Sequence, residues 1–170
     1  MDGEDRAGHE SKKPEGIGGW LLVPIIGLFF SIYQAFEIIK AGEFLMFEPE
    51  MWRAFVSPGT VFYHSFWVPA IVSLAILQLA IMMMSIAALI SIFKKKRFVP
   101  HLMITVYAIG VAMMINDYLL AARFFPLISV ELAEATQPES MKKLIGVSLA
   151  ALVWTPYFMR SRRVKNTFVK

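Results

Sequence analysis

Cysteine is absent from the 170-residue chain, which removes disulfides, thiolate metal sites, thiol catalysis and lipidation on cysteine together. Histidine is scarce, and His9, His64 and His101 lie too far apart to make a metal-binding spacing. The sequence has neither a Gly-x-x-x-x-Gly-Lys phosphate loop nor a Gly-x-Ser-x-Gly nucleophile turn. Charge is thin as well: 18% of residues are charged against 57% hydrophobic. These scarcities predict no catalytic constellation, no cofactor and no metal site. So apolar a composition reads as a polytopic membrane protein rather than a soluble globule.

The apolar residues fall into four runs: Ile17 to Ile39, Phe66 to Phe93, Leu102 to Arg123, and a shorter one from Leu144 to Met159. A spanning helix needs roughly 20 such residues, so the expected fold is all-α with four transmembrane helices. Basic residues gather where runs end, at Lys94-Lys95-Lys96-Arg97 and at Arg160, Arg162, Arg163 and Lys165. Lys and Arg are retained on the cytoplasmic side, which predicts both termini inside and the loops 40–66 and 123–137 outside. The sequence pI of about 9.4 is thereby a matter of topology, and nucleic acid is not an expected partner. Residues 1–15 read as a disordered cytoplasmic tail and not a signal peptide, 16–160 as the transmembrane domain, and 161–170 as a basic cytoplasmic segment.

Within the runs, a few groups carry most of the information. Gly27 and Ser31, four apart, form a small-residue stripe expected to seat a neighbouring helix. Tyr33, Gln34 and Glu37 share a helix face near Lys40. Between the first two runs, Glu43, Phe44, Phe47, Glu48 and Phe62 belong to an aromatic loop. Within it, Pro49-Glu50 starts a short amphipathic helix with Trp52, Phe55 and Val56 on one face, ended by Ser57-Pro58-Gly59. Gln78 is expected to hydrogen-bond across to another helix, with a place in a transport path as the alternative. Met82-Met83-Met84 point in three directions and suit packing or lipid contact. Thr136-Gln137-Pro138-Glu139 has the pattern of a capping box opening the fourth helix. Val164 and Phe168 suit a helix lying on an anionic inner leaflet.

The sharpest question is Asn116-Asp117 inside the third run. At ~1.5 Å per residue, Asp117 comes about 24 Å along from His101, within a hydrocarbon core of about 30 Å, while Glu37 is nearer the boundary. An ionisable group at that depth must find a partner or serve a function. Asp117 shares a stripe with Gly110 and Ala121, which favours a face packed on other helices. Lys142, Lys143 and Lys40 are the expected partners across the bundle. Asp117, Asn116, Glu37, Gln34 and Gln78 form the candidate intramembrane polar site.

Gly16-Ile17-Gly18-Gly19-Trp20-Leu21 at one end and Trp154-Thr155-Pro156-Tyr157-Phe158 followed by Ser161, Arg163-Val164-Lys165 and Thr167-Phe168 at the other form a recognisable pattern. Together they resemble a bacterial family of small membrane proteins, domain of unknown function 2569, over essentially all but the tail. The resemblance implies a four-helix protein of the bacterial inner membrane and supplies no activity. Gly18, Gly19, Trp20, Trp154, Pro156, Tyr157, Arg162, Arg163 and Lys165 make a candidate cytoplasmic interface.

The expected function is a structural or accessory module that binds a membrane protein partner or lipid, contacts anionic headgroups at its cytoplasmic face, and is open to homo-oligomerisation. The alternative is a small transporter or permease-like subunit using the intramembrane acids. The topology has its own test: reporter fusions after Lys96 and after Lys170 are both expected to report cytoplasm, and a periplasmic signal at either overturns the arrangement.

Overall fold

Gly18, fully extended, and Gly19, at φ +56°, turn the chain into a single 3-10 turn over Gly19–Leu21 that leads directly into the first helix. The computed structural model describes residues 16–40, 49–61 and 63–170. The expected tail 1–15, the loop residues Glu43, Phe44, Phe47, Glu48 and Phe62, and the side chains of Lys40 and Phe55 lie outside the described residues. The helices are α1 (Leu22–Lys40), α2 (Pro49–Val56), α3 (Trp67–Phe93), α4 (Val99–Arg123), α5 (Phe125–Ile128), α6 (Val130–Arg160) and α7 (Arg162–Thr167). Among the described residues every regular element is helical.

Three helical stretches are long and apolar enough to cross a bilayer: Gly19–Glu37, Trp67–Phe93 and Val99–Leu127. Their large side chains point outward in number, as lipid-facing helices require; Ile76, Met83 and Phe36 are all more than half exposed. The fourth long helix, α6, is apolar only in its second half.

Backbone chemistry accounts for the turn between α3 and α4. Lys95 adopts φ +53°, the Lys96 N–H donates to the Ser91 carbonyl at 3.0 Å, and the Lys95 N–H donates to that of Ile92 at 3.0 Å. This pair of bonds is a Schellman close. Pro100, near the start of α4, has no N–H for the new helix to satisfy. α4 therefore returns antiparallel along α3 after a minimal turn.

The start of α6 departs from the sequence expectation. The helix begins at Val130, where the Ser129 hydroxyl accepts from the Leu132 N–H at 3.3 Å and Glu131 sits in the first turn. Thr136, read as a cap, instead donates to the Leu132 carbonyl at 2.7 Å in mid-helix, and Glu139 pairs forward with Lys142 at 3.0 Å. Pro138 is thus inside the helix. The carbonyl it leaves unpaired belongs to exposed Glu134, which water can satisfy. The expected outer loop 123–137 is consequently helical for most of its length.

The long helices pack in the order α1 on α3, α3 on α4 and α4 on α6, the last pair making the most extensive contact. Two apolar clusters hold the ends. At the end carrying Lys94–Arg97, here the basic end, Leu21, Ile25, Ile92, Met103 and Phe158 pack together and α7 folds beneath them. At the other, aromatic end, Trp67 and Leu120 pack with Phe124 and Phe125. His64 meets Phe124 edge-on at 5.2 Å there.

Val164 and Phe168 are 0% and 5% exposed, so the C-terminal segment does not present them to a membrane surface. Ser161 leaves the helical conformation, caps α7 with its hydroxyl and turns the chain across the end of the bundle. There the apolar pair is covered by protein more completely than headgroups could cover it. Thr167 accepts from the Gly16 N–H at 3.0 Å. The Lys170 carbonyl accepts from the Arg97 N–H at 2.7 Å, and the Lys170 N–H donates to the Lys95 carbonyl at 3.1 Å. The two ends of the described chain therefore meet at the basic end.

A Cβ at Gly19 would stand 3.0 Å from the Arg163 Nη1, whereas one at Gly18 would stand 3.6 Å away. Gly19→Ala is expected to destabilise the protein by about 1–2 kcal/mol through its left-handed φ alone, and Gly18→Ala to be near neutral. Thermal unfolding in detergent reads this. Adding Arg163→Ala to Gly19→Ala should recover only the part due to the contact, and full recovery would contradict the backbone argument.

Candidate functional site

Successive residues on a helix point about 100° apart, so Asn116 and Asp117 reach different neighbours. The Asn116 Nδ2 donates to the Ser73 Oγ on α3 at 2.8 Å, and the Ser73 hydroxyl donates to the Ala70 carbonyl at 2.8 Å. The Ser140 Oγ on α6 donates to the Asp117 Oδ2 at 2.7 Å. Two adjacent polar residues of α4 thus tie it to a helix on either side. Ser140 is buried and is the partner of Asp117 among the described residues; neither Lys142 nor Lys143 pairs with it, and the Lys40 side chain lies outside them. Lys142 is turned outward to Glu139. That hydrogen bond, and then the charge of Lys142, hold the Glu139 carboxyl below its ordinary range.

A cavity of about 610 Å³ opens between α1 and α6 and is floored by α3 and α4. Its volume falls within the ~300–1,000 Å³ of small-molecule sites. Asp117, Gln34 and Gln78 all line it, together with Tyr107 and Lys143. No contact ion pair joins Asp117 to Lys143. Gln78 is 6% exposed and makes no hydrogen bond among the described residues, contrary to the interhelical bond expected of it; its amide faces the cavity instead.

Gly27 and Gly146 form opposite walls, and a Cβ built on either meets nothing within 4 Å. The Gly27–Ser31 stripe therefore does not seat a helix. Mid-helix glycine costs roughly 0.5–1 kcal/mol relative to alanine, and at these positions it leaves a gap open. Glu37 is half-buried and does not line the cavity, so the structure does not assemble Glu37 and Asp117 as a carboxylate pair facing one space.

The residues read as a cytoplasmic interface divide into two groups. Arg163 lies against Gly18 and Gly19. Trp154 and Tyr157 make an edge-on pair at 5.4 Å and pack on the apolar cluster. Trp20, Pro156, Arg162 and Lys165 remain exposed. Sequence reasoning passed over Ser73, Ser140, Tyr107 and Gly146 as site residues. The signal for α6 was present: Ser140, Lys143, Val147 and Ala150 recur at helical spacing and define the face turned to α4 and the cavity.

Interhelical hydrogen bonds in membranes contribute about 0.6 kcal/mol on average and at most about 1.7. Asn116→Ala and Ser140→Ala are each expected to lower stability within that range and, acting at different interfaces, to add. Ser73→Ala combined with Asn116→Ala should cost no more than either alone. Equilibrium unfolding in mixed micelles measures all of these, and independent effects of Ser73 and Asn116 would remove their bond from the account.

Comparison with known proteins agrees with a place in the membrane. Over 156 residues, 92% of this chain and 95% of the relative, the sequence is 28% identical to a curated protein of Escherichia coli (strain K12) named inner membrane protein YdgK. No solved structure matches. With its apolar helices, the chain is a multi-pass protein of the inner membrane. The sequence profile described as protein of unknown function (DUF2569) matches residues 14–169, and the chain belongs to that family.

Proposed function

We propose that this protein is a four-span accessory module of the inner membrane that holds an amphiphile in the cleft between α1 and α6, and is a binding protein rather than an enzyme. The observation that carries the reading is the cleft itself: a cavity of about 610 Å³ walled by two glycines and lined by unpaired polar groups. Four spans, with both termini at the cytoplasmic face, are supported by the bond between Gly16 and Thr167. Ends that meet require an even number of crossings, and α6 supplies the one beyond the three apolar helices. The basic turn at that end supports its cytoplasmic placement.

Transport through the same groups is the competing reading. Toward the basic end the cleft runs into the apolar cluster around Met103 and Leu28, which supports holding over conduction. Exposed Arg162 and Lys165 beside the basic turn suit anionic headgroups or a partner protein at the cytoplasmic face.

Purification of the intact chain in mild detergent, followed by solvent extraction and mass spectrometry, is expected to recover about one bound amphiphile per chain, and Gly146→Leu to lose it. Solute or ion flux in sealed vesicles should not change with Asp117→Asn. A flux abolished by that substitution in folded protein would make transport the correct reading.

A further inference from the structure

We infer that the cleft binds a phospholipid with a zwitterionic, primary-ammonium headgroup, a phosphatidylethanolamine, seated with its headgroup toward the aromatic end; this rests on the reading of the cleft as an amphiphile site. Three properties of the cleft lead to it.

The first is length. The α1 wall is lined from Pro24 to Gln34, about 15 Å at ~1.5 Å per residue and hence half of a hydrocarbon core of about 30 Å. The cleft is one leaflet deep.

The second is the gradient along it. Gln34, Asp117 and Lys143 lie toward the aromatic end, whereas Leu28, Ile81, Met103 and Val106 line the part nearer the basic end. A polar head and apolar chains match that order. Exposed Gly27 and Gly146 leave the side between α1 and α6 open for chains to enter from the bilayer.

The third is charge. Asp117 carries a carboxylate that has Ser140 on one oxygen, and no cation pairs with it among the described residues. Lys143 lines the same cleft and is likewise without a contact ion pair among the described residues. A ligand bearing both a cation and an anion satisfies the two at once. A primary ammonium has three donors to offer, and the Asp117 carboxylate with the amide oxygens of Gln78 and Gln34 are acceptors for them. Quaternary ammonium is selected by aromatic cages, and among the described residues the rings on the cleft are Phe30 and Tyr107. An anionic phospholipid would satisfy Lys143 and leave Asp117 without a counter-charge. Gln78, nine-tenths buried with its amide unpartnered, faces the cleft and gives the bound headgroup a desolvated hydrogen bond.

The test is native mass spectrometry of the full chain released from mild detergent, titrated in parallel with phosphatidylethanolamine, phosphatidylcholine and phosphatidylglycerol of identical chains. One phosphatidylethanolamine per chain is expected, favoured about tenfold or more over the other two, as one charge-assisted hydrogen bond implies. Asp117→Asn, which keeps an acceptor for Ser140, should erase the preference over phosphatidylglycerol. Lys143→Gln should weaken both, since both carry phosphate. Gly146→Leu should abolish retention of all three. If Asp117→Asn folds and the preference persists, the headgroup assignment is wrong, while loss of lipid in Gly146→Leu still upholds the cleft as the amphiphile site. If Gly146→Leu retains lipid as the unmodified chain does, the amphiphile reading falls with it. Should Asp117→Asn not fold, Gln34→Leu decides, since Gln34 is exposed on the cleft and offers an acceptor to the ammonium alone: a reduced preference for phosphatidylethanolamine over phosphatidylcholine upholds the assignment, and an unchanged preference overturns it.

Discussion

Water is missing from the interior of a bilayer, so a polar side chain there is satisfied by a neighbour or not at all. Asn116 and Asp117 convert that constraint into architecture. Standing side by side on α4, they bond Ser73 on α3 and Ser140 on α6, and α4 becomes the helix to which both neighbours are fastened. α1 has no such bond to α6 among the described residues; it packs on α3. The cleft is the space this unequal fastening leaves, and at Gly27 and Gly146 no side chain fills it.

The two ends of the molecule divide the work. The basic end is sealed by apolar packing of α1, α3, α4, α6 and α7, by Arg163 lying over Gly18 and Gly19, and by the backbone bonds of Lys170. Toward the aromatic end the cleft gains Gln34, Asp117 and Lys143 among its lining, while α3, α4 and α5 are held together beside it by the cluster around Trp67 and Leu120. Rigidity at one end lets the other remain open without loss of the fold, because the apolar area buried around Phe158 and Ile92 does not depend on what occupies the cleft.

Much of this organisation was legible in the residues. The apolar runs located α1, α3 and α4, the lysine turn marked the reversal between the last two, and Pro49-Glu50 began α2. The stripe Gly110–Asp117–Ala121 indicated a packed face, and Gly110 does lie against Val147 of α6. Four features were hidden for physical reasons. Thr136–Glu139 matches a capping box, but local pattern cannot show that Ser129 caps first and that an exposed proline is tolerated within a helix. A lysine would neutralise Asp117 by charge, and spacing along the chain cannot show that the Ser140 hydroxyl stands across the interface at 2.7 Å. Small residues usually mean close helix packing, and only the arrangement of α1 against α6 reveals that Gly27 faces a gap. The apolar pair Val164 and Phe168 fits a membrane surface and a protein core equally well by spacing, and the turn at Ser161 decides between them.

The bond between Gly16 and Thr167 joins positions separated by 151 residues. On the proposed four-span topology, every helix must be inserted, and in the correct sense, before those two groups can share one side of the membrane. A chain with one span missing or reversed would leave them on opposite sides of the bilayer, with Arg163 deprived of its glycine seat and Phe168 of its cover. On that topology the seal at the basic end is a record of completed insertion, and its absence exposes apolar and cationic surface by which a misassembled chain differs from a finished one.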